Sequence, residues 1–285
     1  VLFDRQQETP FDLRFRVFGT PVRVLPWFWL VTVFLGFDYI RVGIEVLLLW
    51  VFCVFVSILL HELGHVWMGM VFGSRGNIIL AGMFGLAYGA TSGVTERWKR
   101  IAVYLAGPGI QFLFFGLLSL TLHLINPPVS TEGWELSDYF DSALSPPVPN
   151  GWPKLAWWAV HFLIWINFYW AVINLLPIWP LDGGQVSREL FTWQSPIYGV
   201  RNSLGLSLAT ALVVTINAIS GAMRGPTIPY LPTGDRFFIV FFAIFAFESF
   251  MLLQMEVAKI RGGWRDPDDD DRMPWERDPD EWKRG

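Results

Sequence analysis

Ser57-Ile58-Leu59-Leu60-His61-Glu62-Leu63-Gly64-His65 lies inside an apolar run from Val42 to Phe72. It is an H-E-x-x-H pattern. On a helix, residues four apart share a face, so His61 and His65 can offer two imidazoles to one metal ion while Glu62 stands beside them. The run is long enough to cross a bilayer. A charged residue at mid-membrane costs on the order of 2.5 to 3.5 kcal/mol, so two histidines and a glutamate at that depth call for a purpose beyond solvation of a helix face.

The whole chain agrees with a membrane setting. Its 285 residues are 53% hydrophobic and 17% aromatic, with a net charge of -4, and its mean hydropathy is +0.41. That balance is too apolar and too poor in charge for an ordinary soluble domain. Much of the acid is concentrated between Asp266 and Glu281, so the net charge says little about the remainder and nothing in it calls for nucleic acid. A single cysteine, Cys53, cannot form an intramolecular disulfide.

Working outward from the motif, the residues before it carry Arg5, Arg14, Arg16 and Arg23 with loose alternation, which fits a short strand or surface segment over residues 1–24. Pro26 opens an apolar stretch, Trp27 to Phe37, that becomes a first span if Val22 to Leu25 extend it. Asp38 to Arg41 forms a turn into the motif helix. Asn77 to Tyr88 is rich in glycine and suits one or two bent strands, with an edge that can pair with an unwound substrate segment. Lys99 to Ile125 is the next span, interrupted at Ala106-Gly107-Pro108-Gly109, whose small residues let it pack directly on the motif helix. Asn126 to Pro153 is proline-rich and acidic, with no Lys or Arg. Lys154 to Trp179 is a fourth span, with Asn167 and Asn174 on one face and His161 as a packing residue. It ends in Asn174-Leu175-Leu176-Pro177-Ile178-Trp179-Pro180-Leu181-Asp182-Gly183-Gly184, where two prolines break the helix and hold Asp182 at the break. Ser203 to Met223 and Phe237 to Val257 complete about six spans. With both termini in the cytoplasm, the arginine-bearing connections fall inside and the acidic loop outside, and the end of the motif helix shares the cytoplasmic side with Asp182.

Two imidazoles leave a tetrahedral zinc in need of a third protein ligand and an open position. Asp182 is the best candidate, since Glu248 lies on a distant span and Glu96 in a connection. Glu62 can then take a proton from water and deliver it to a leaving amine, and Asn174 can donate a hydrogen bond to the oxyanion or the substrate backbone.

His61-Glu62-Leu63-Gly64-His65, Ala106-Gly107-Pro108 and the segment from Asn174 to Gly184 together resemble the site-2 protease family of intramembrane zinc metalloproteases. The resemblance covers about Gly19 to Gly184. It implies cleavage of a peptide bond in or near the transmembrane segment of a membrane-tethered protein, with one Zn2+ per chain on His61, His65 and Asp182 and with Glu62 as the catalytic base. The family often has Asn three residues after the proline of its A-G-P segment, where this chain has Gln111.

The expected fold is therefore an all-α membrane protein, a polytopic bundle of about six transmembrane helices with a short glycine-rich β region after the second. A cytoplasmic segment over 1–24 precedes a metalloprotease domain over 25–258, whose catalytic core spans about 42–184, and an acidic tail follows over 259–285. The expected partners are a single-span membrane protein substrate and the lipid bilayer, with no nucleic acid. Two other functions fit less of the pattern. A catalytically silent relative that binds membrane helices would not need all four site residues, and a zinc transporter would spread its ligands through the membrane instead of gathering them at one depth.

Overall fold

The computed structural model describes residues 9–82, 84–125, 144, 151–224, 228 and 236–261. Most of the acidic connection expected over 126–153, and the tail beyond 261, lie outside the described residues. The chain divides into two compact units, the first running to Val172 and the second starting at Ile173.

The first unit begins with a hairpin of β1 (Leu13–Val17) and β2 (Thr20–Val24). Its two-residue turn has positive φ at both Phe18 (49°) and Gly19 (84°), the backbone twist that joins antiparallel strands tightly. Pro26 sits in the first turn of α1 (Pro26–Leu35), where its missing N–H removes no helical bond. A 3-10 turn over Phe37–Arg41 leads into α2 (Ile44–Val71), the 28-residue motif helix. Trp50 donates its indole N–H to the Thr32 carbonyl (3.1 Å), pinning α2 to α1.

Beyond α2 the chain returns as β3 (Asn77–Ala81) and β4 (Phe84–Tyr88). The four strands form one sheet in the order β1-β2-β3-β4. The outer pairs are antiparallel, while β2 and β3 run parallel, with Val22, Arg23 and Val24 opposite Ile78, Ile79 and Leu80. A parallel pair needs a long crossover, and here α1 and α2 supply it. Val22, Val24, Ile78 and Leu80 form the inner face and join Phe28, Val54, Ile58 and Val66 in one core. The sheet is thereby laid against the motif helix.

Arg97–Ile125 forms α3 and Lys154–Leu175 forms α4, whose last residues pass into the second unit. The break expected at Ala106 to Gly109 is absent: Pro108 lies inside a continuous helix. Proline is tolerated in membrane helices because neighbouring groups re-satisfy the carbonyl it leaves without a donor. The expected packing does hold. A Cβ on Gly64 would come within 2.6 Å of the Ala106 carbonyl oxygen, so α2 and α3 meet backbone to backbone.

The second unit holds α5 (Asp182–Gln194), α6 (Gly199–Arg224) and α7 (Arg236–Arg261). The last two pack along one another. The Trp179 N–H donates to Ser207 Oγ, fixing the segment before α5 to α6.

Among the described residues five helices, α2, α3, α4, α6 and α7, are long and apolar enough to cross a membrane. The remaining expected span is the ten-residue α1, about 15 Å long. Val22 to Val24, expected to lengthen it, belong to β2, because their alternation pairs them with β1 and β3 before Pro26 can start a helix.

Candidate metal centre

Residues 61 to 66 of α2 are all buried. Ser57, His61, Glu62 and His65 have relative exposures of 0, 3, 4 and 6%. Polar groups at that depth require partners, and the imidazoles find theirs on α3.

His65 Nδ1 lies 2.7 Å from the Val103 carbonyl oxygen. His61 Nδ1 lies 2.9 Å from Gln111 Oε1. A carbonyl only accepts, so His65 carries its proton on Nδ1. The Gln111 amide is oriented by its other end, where its NH2 donates to the Ser57 carbonyl (3.2 Å). Its oxygen therefore faces His61, which also carries its proton on Nδ1. Both rings then present the Nε2 lone pair, and these two nitrogens are 3.0 Å apart. Two lone pairs meeting at that distance are stabilised by a shared cation. Each ring has its Nδ1–H bonded to an oxygen, the arrangement that orients histidine metal ligands. The residues of α2 thus fit a zinc ion.

Glu62 lies beside this pair, against the sheet. A Cβ on Gly85 of β4 would overlap the Glu62 carboxylate and its Cγ, so only glycine lets the strand come so near. Gly107 of α3 performs the same service for the imidazoles: a Cβ there would stand 2.5 Å from His65 Cε1 and 2.9 Å from His61 Cε1.

Asn167 of α4 reaches the same turn of α2, donating to Ser57 Oγ (2.9 Å) and to the Leu163 carbonyl (2.8 Å). His161 stacks on the Trp157 ring with centroids 5.1 Å apart, the packing role expected of it.

His61, Glu62 and His65 lie in the first unit, and Asn174 and Asp182 in the second. Asn174 is buried near the end of α4. Asp182 opens α5, where Gly183 and Gly184 let the helix start run against the backbone of Leu175 to Ile178. Sequence reasoning left Gln111 without a role and did not see Gly85. A signal for Gln111 was present: it falls four residues after Gly107 in the same helix, on the face that carries the glycine.

The family model of Peptidase family M50 matches residues 150–216. The solved site-2 protease from Methanocaldococcus jannaschii superposes with a TM-score of 0.52 at 18% identity, covering 85% of this chain and 94% of that one. The chain is thus similar to Peptidase family M50 in sequence and to the site-2 protease in fold. With five described helices long and apolar enough to cross a membrane it is a multi-pass membrane protein, and those helices with one small sheet match the site-2 protease fold. A Synechocystis sp. protein named as a candidate zinc metalloprotease is 28% identical over 193 residues, 62% of this chain and 43% of its own length. Stage IV sporulation protein FB of Bacillus subtilis is 27% identical over 165 residues, 56% of this chain and 45% of its own. A zinc metalloprotease of M. jannaschii is 25% identical over 209 residues, 70% of this chain and 52% of its own. The chain thus spans about half the length of these curated relatives.

Proposed function

We propose that this chain is an intramembrane zinc metalloprotease that hydrolyses a peptide bond in or near the transmembrane segment of membrane-tethered proteins, in regulated intramembrane proteolysis. The observation that carries the reading is the pair of histidine Nε2 atoms 3.0 Å apart inside a helix long and apolar enough to span a bilayer, with Glu62 one residue from the first of them.

Asp182 is the third ligand in this reading, an acid at the start of α5 whose flanking glycines keep the helix start close to the preceding backbone. Bound on His61, His65 and Asp182, zinc would polarise both the attacking water and the scissile carbonyl. Glu62, held in a buried position against Gly85, accepts the water's proton and passes it to the leaving amine. Asn174 donates a hydrogen bond to the carbonyl oxygen as it becomes negative. The substrate helix must unwind to expose its backbone. Edge strand β4, paired only with β3 among the described residues and touching Glu62 through Gly85, suits main-chain pairing with that unwound segment. In the proposed orientation both termini are cytoplasmic and the site faces the cytoplasm. His65 is then about 9 Å from the end of α2 at Val71, within reach of water from that side.

The test is Glu62→Gln in the purified protein with a single-span substrate. Cleavage is expected to vanish while bound zinc stays at the level of the unaltered protein. Cleavage that persists in Glu62→Gln, or an unaltered protein that binds no zinc, would overturn the proposal.

A further inference from the structure

Gln111 stands at the centre of a closed set of bonds that the proposed chemistry does not yet use. It is fully buried, at 0% exposure, in the middle of an apolar helix. Burying a primary amide is costly unless its donors and acceptor are satisfied. Its oxygen faces His61 Nδ1 at 2.9 Å and its nitrogen faces the Ser57 carbonyl at 3.2 Å. In an α-helix that carbonyl also accepts the backbone N–H four residues on, which is that of His61. Gln111 therefore grips His61 twice, by its ring and by the turn of helix that carries it.

We propose that Gln111 is the positioning residue of the metal site: it fixes the His61 tautomer and ring angle so that Nε2 presents its lone pair to the ion. The inference rests on the zinc protease reading above. Without the amide oxygen, the imidazole proton has no fixed acceptor on α3. The ring then exchanges between tautomers and rotates, and only part of the population offers Nε2 to the metal. His65 is held differently, by the Val103 main-chain carbonyl, which no substitution at position 103 removes. The two ligands are thus unequal in how they can be disturbed at Nδ1, where a side chain holds His61 and a main-chain carbonyl holds His65.

The loss of such an outer partner typically lowers metal affinity about 10- to 100-fold. The experiment compares metal-free unaltered protein with Gln111→Leu, Gln111→Met and Gln111→Glu in detergent. Zinc affinity is measured by competition with a chelator, and ligand geometry by the visible spectrum of the cobalt-substituted site. Gln111→Leu and Gln111→Met are expected to bind zinc about 10- to 100-fold more weakly and to give an altered cobalt spectrum. Gln111→Glu is expected to restore affinity to within a few-fold. A carboxyl oxygen accepts from His61 Nδ1, the contact that the amide oxygen makes in the unaltered protein. Thermal melting of the metal-free proteins identifies whichever apolar variant keeps its fold.

A folded apolar variant with unaltered zinc affinity would overturn the inference and leave the protease reading intact. Failure of Gln111→Glu to bind better than the apolar variants would overturn it as well, because acceptance of the His61 proton would then not be what matters. An unaltered protein that takes up no zinc would sink the protease reading itself, and this inference with it.

Discussion

Gly107→Ala adds one methyl group to α3, in the space between the two imidazoles. From the backbone, the new Cβ would lie 2.5 Å from His65 Cε1 and 2.9 Å from His61 Cε1. Carbon atoms in contact settle at about 3.5 to 4.0 Å, so the His65 ring has to retreat by roughly 1 Å. It has nowhere to go without loss, being 6% exposed and tied to the Val103 carbonyl at 2.7 Å. Zinc–nitrogen bonds are about 2.0 to 2.1 Å long and tolerate only about 0.2 Å of error. A displacement several times that tolerance should lower zinc affinity on the order of 100-fold or more. The metal-free protein should change much less. Glycine to alanine in a helix gains about 1 kcal/mol of intrinsic propensity, and overpacking costs about 1 to 3 kcal/mol, leaving a loss of about 0 to 2 kcal/mol. Gly109 provides the control in the same helix, because a Cβ there meets nothing within 4 Å. Gly109→Ala should keep full zinc affinity and melt at the same temperature or higher. Chelator-competition titration and thermal melting of the three proteins in detergent make the comparison. Gly107→Ala binding zinc like the unaltered protein would refute the placement of α3 against the histidines.

Gly85→Ala should act on the carboxylate instead of the metal: its Cβ would overlap Glu62, so cleavage should fall at least 10-fold with zinc content unchanged, and a fall in zinc content would count against the separation of roles. Asp182→Ala should abolish tight zinc binding in equilibrium dialysis, and retention of one zinc per chain would remove Asp182 from the ligand set. Just before β1, the Thr9 hydroxyl bond and then the Thr9 N–H and the Arg23 guanidinium of β2 hold the Asp12 carboxyl down at about 2, against an ordinary 3.8. A lowered carboxylate pKa stabilises the folded form above the unfolded value, so this contribution is whole above about pH 4 and disappears as pH falls through about 2. Asp12→Asn should flatten that part of the acid unfolding curve, followed by circular dichroism, and an identical curve would refute the assignment.

What the sequence disclosed and what it concealed divide along physical lines. The helix carrying His61 to His65 was legible because a 28-residue apolar run has few other ways to satisfy its backbone in lipid. The strands over Asn77 to Tyr88 were legible because glycine-rich, β-branched segments make poor helices. The contact of α2 with α3 could be read from Gly64 and Ala106 to Gly109, since small residues mark close crossings. Pairing partners were not legible. Val22 to Val24 look as much like the start of a span as a strand until Ile78 to Leu80, more than fifty residues later, come alongside. Pro108 reads as a break by local rules, which do not include the packing of α3 on α2. Gln111 reads as a departure from a family pattern, because its value lies in two partners on another helix, His61 and Ser57.

Within the first unit the hydrogen bonds around α2 also divide the support of the site between two sides. Between helices in lipid there is little hydrophobic drive to associate, so close packing and polar links decide position. The α3 side carries both: the backbone contact at Gly64 and Ala106, the Val103 bond to His65 and the Gln111 bridge to His61 and Ser57. Drawing α3 away from α2 would release both imidazoles from their fixed tautomers. On the sheet side β4, an edge strand tied to the rest of the sheet by β3 alone among the described residues, meets the Glu62 carboxylate at Gly85. Strand β4 pairs in the sheet with β3 and packs on α2 at Glu62, whereas the Val103 and Gln111 bonds to the imidazoles run to α3. The two imidazoles are therefore held from the α3 side and the Glu62 carboxylate is met from the β4 side, so the metal-binding and proton-transferring groups of the proposed site are supported by different elements.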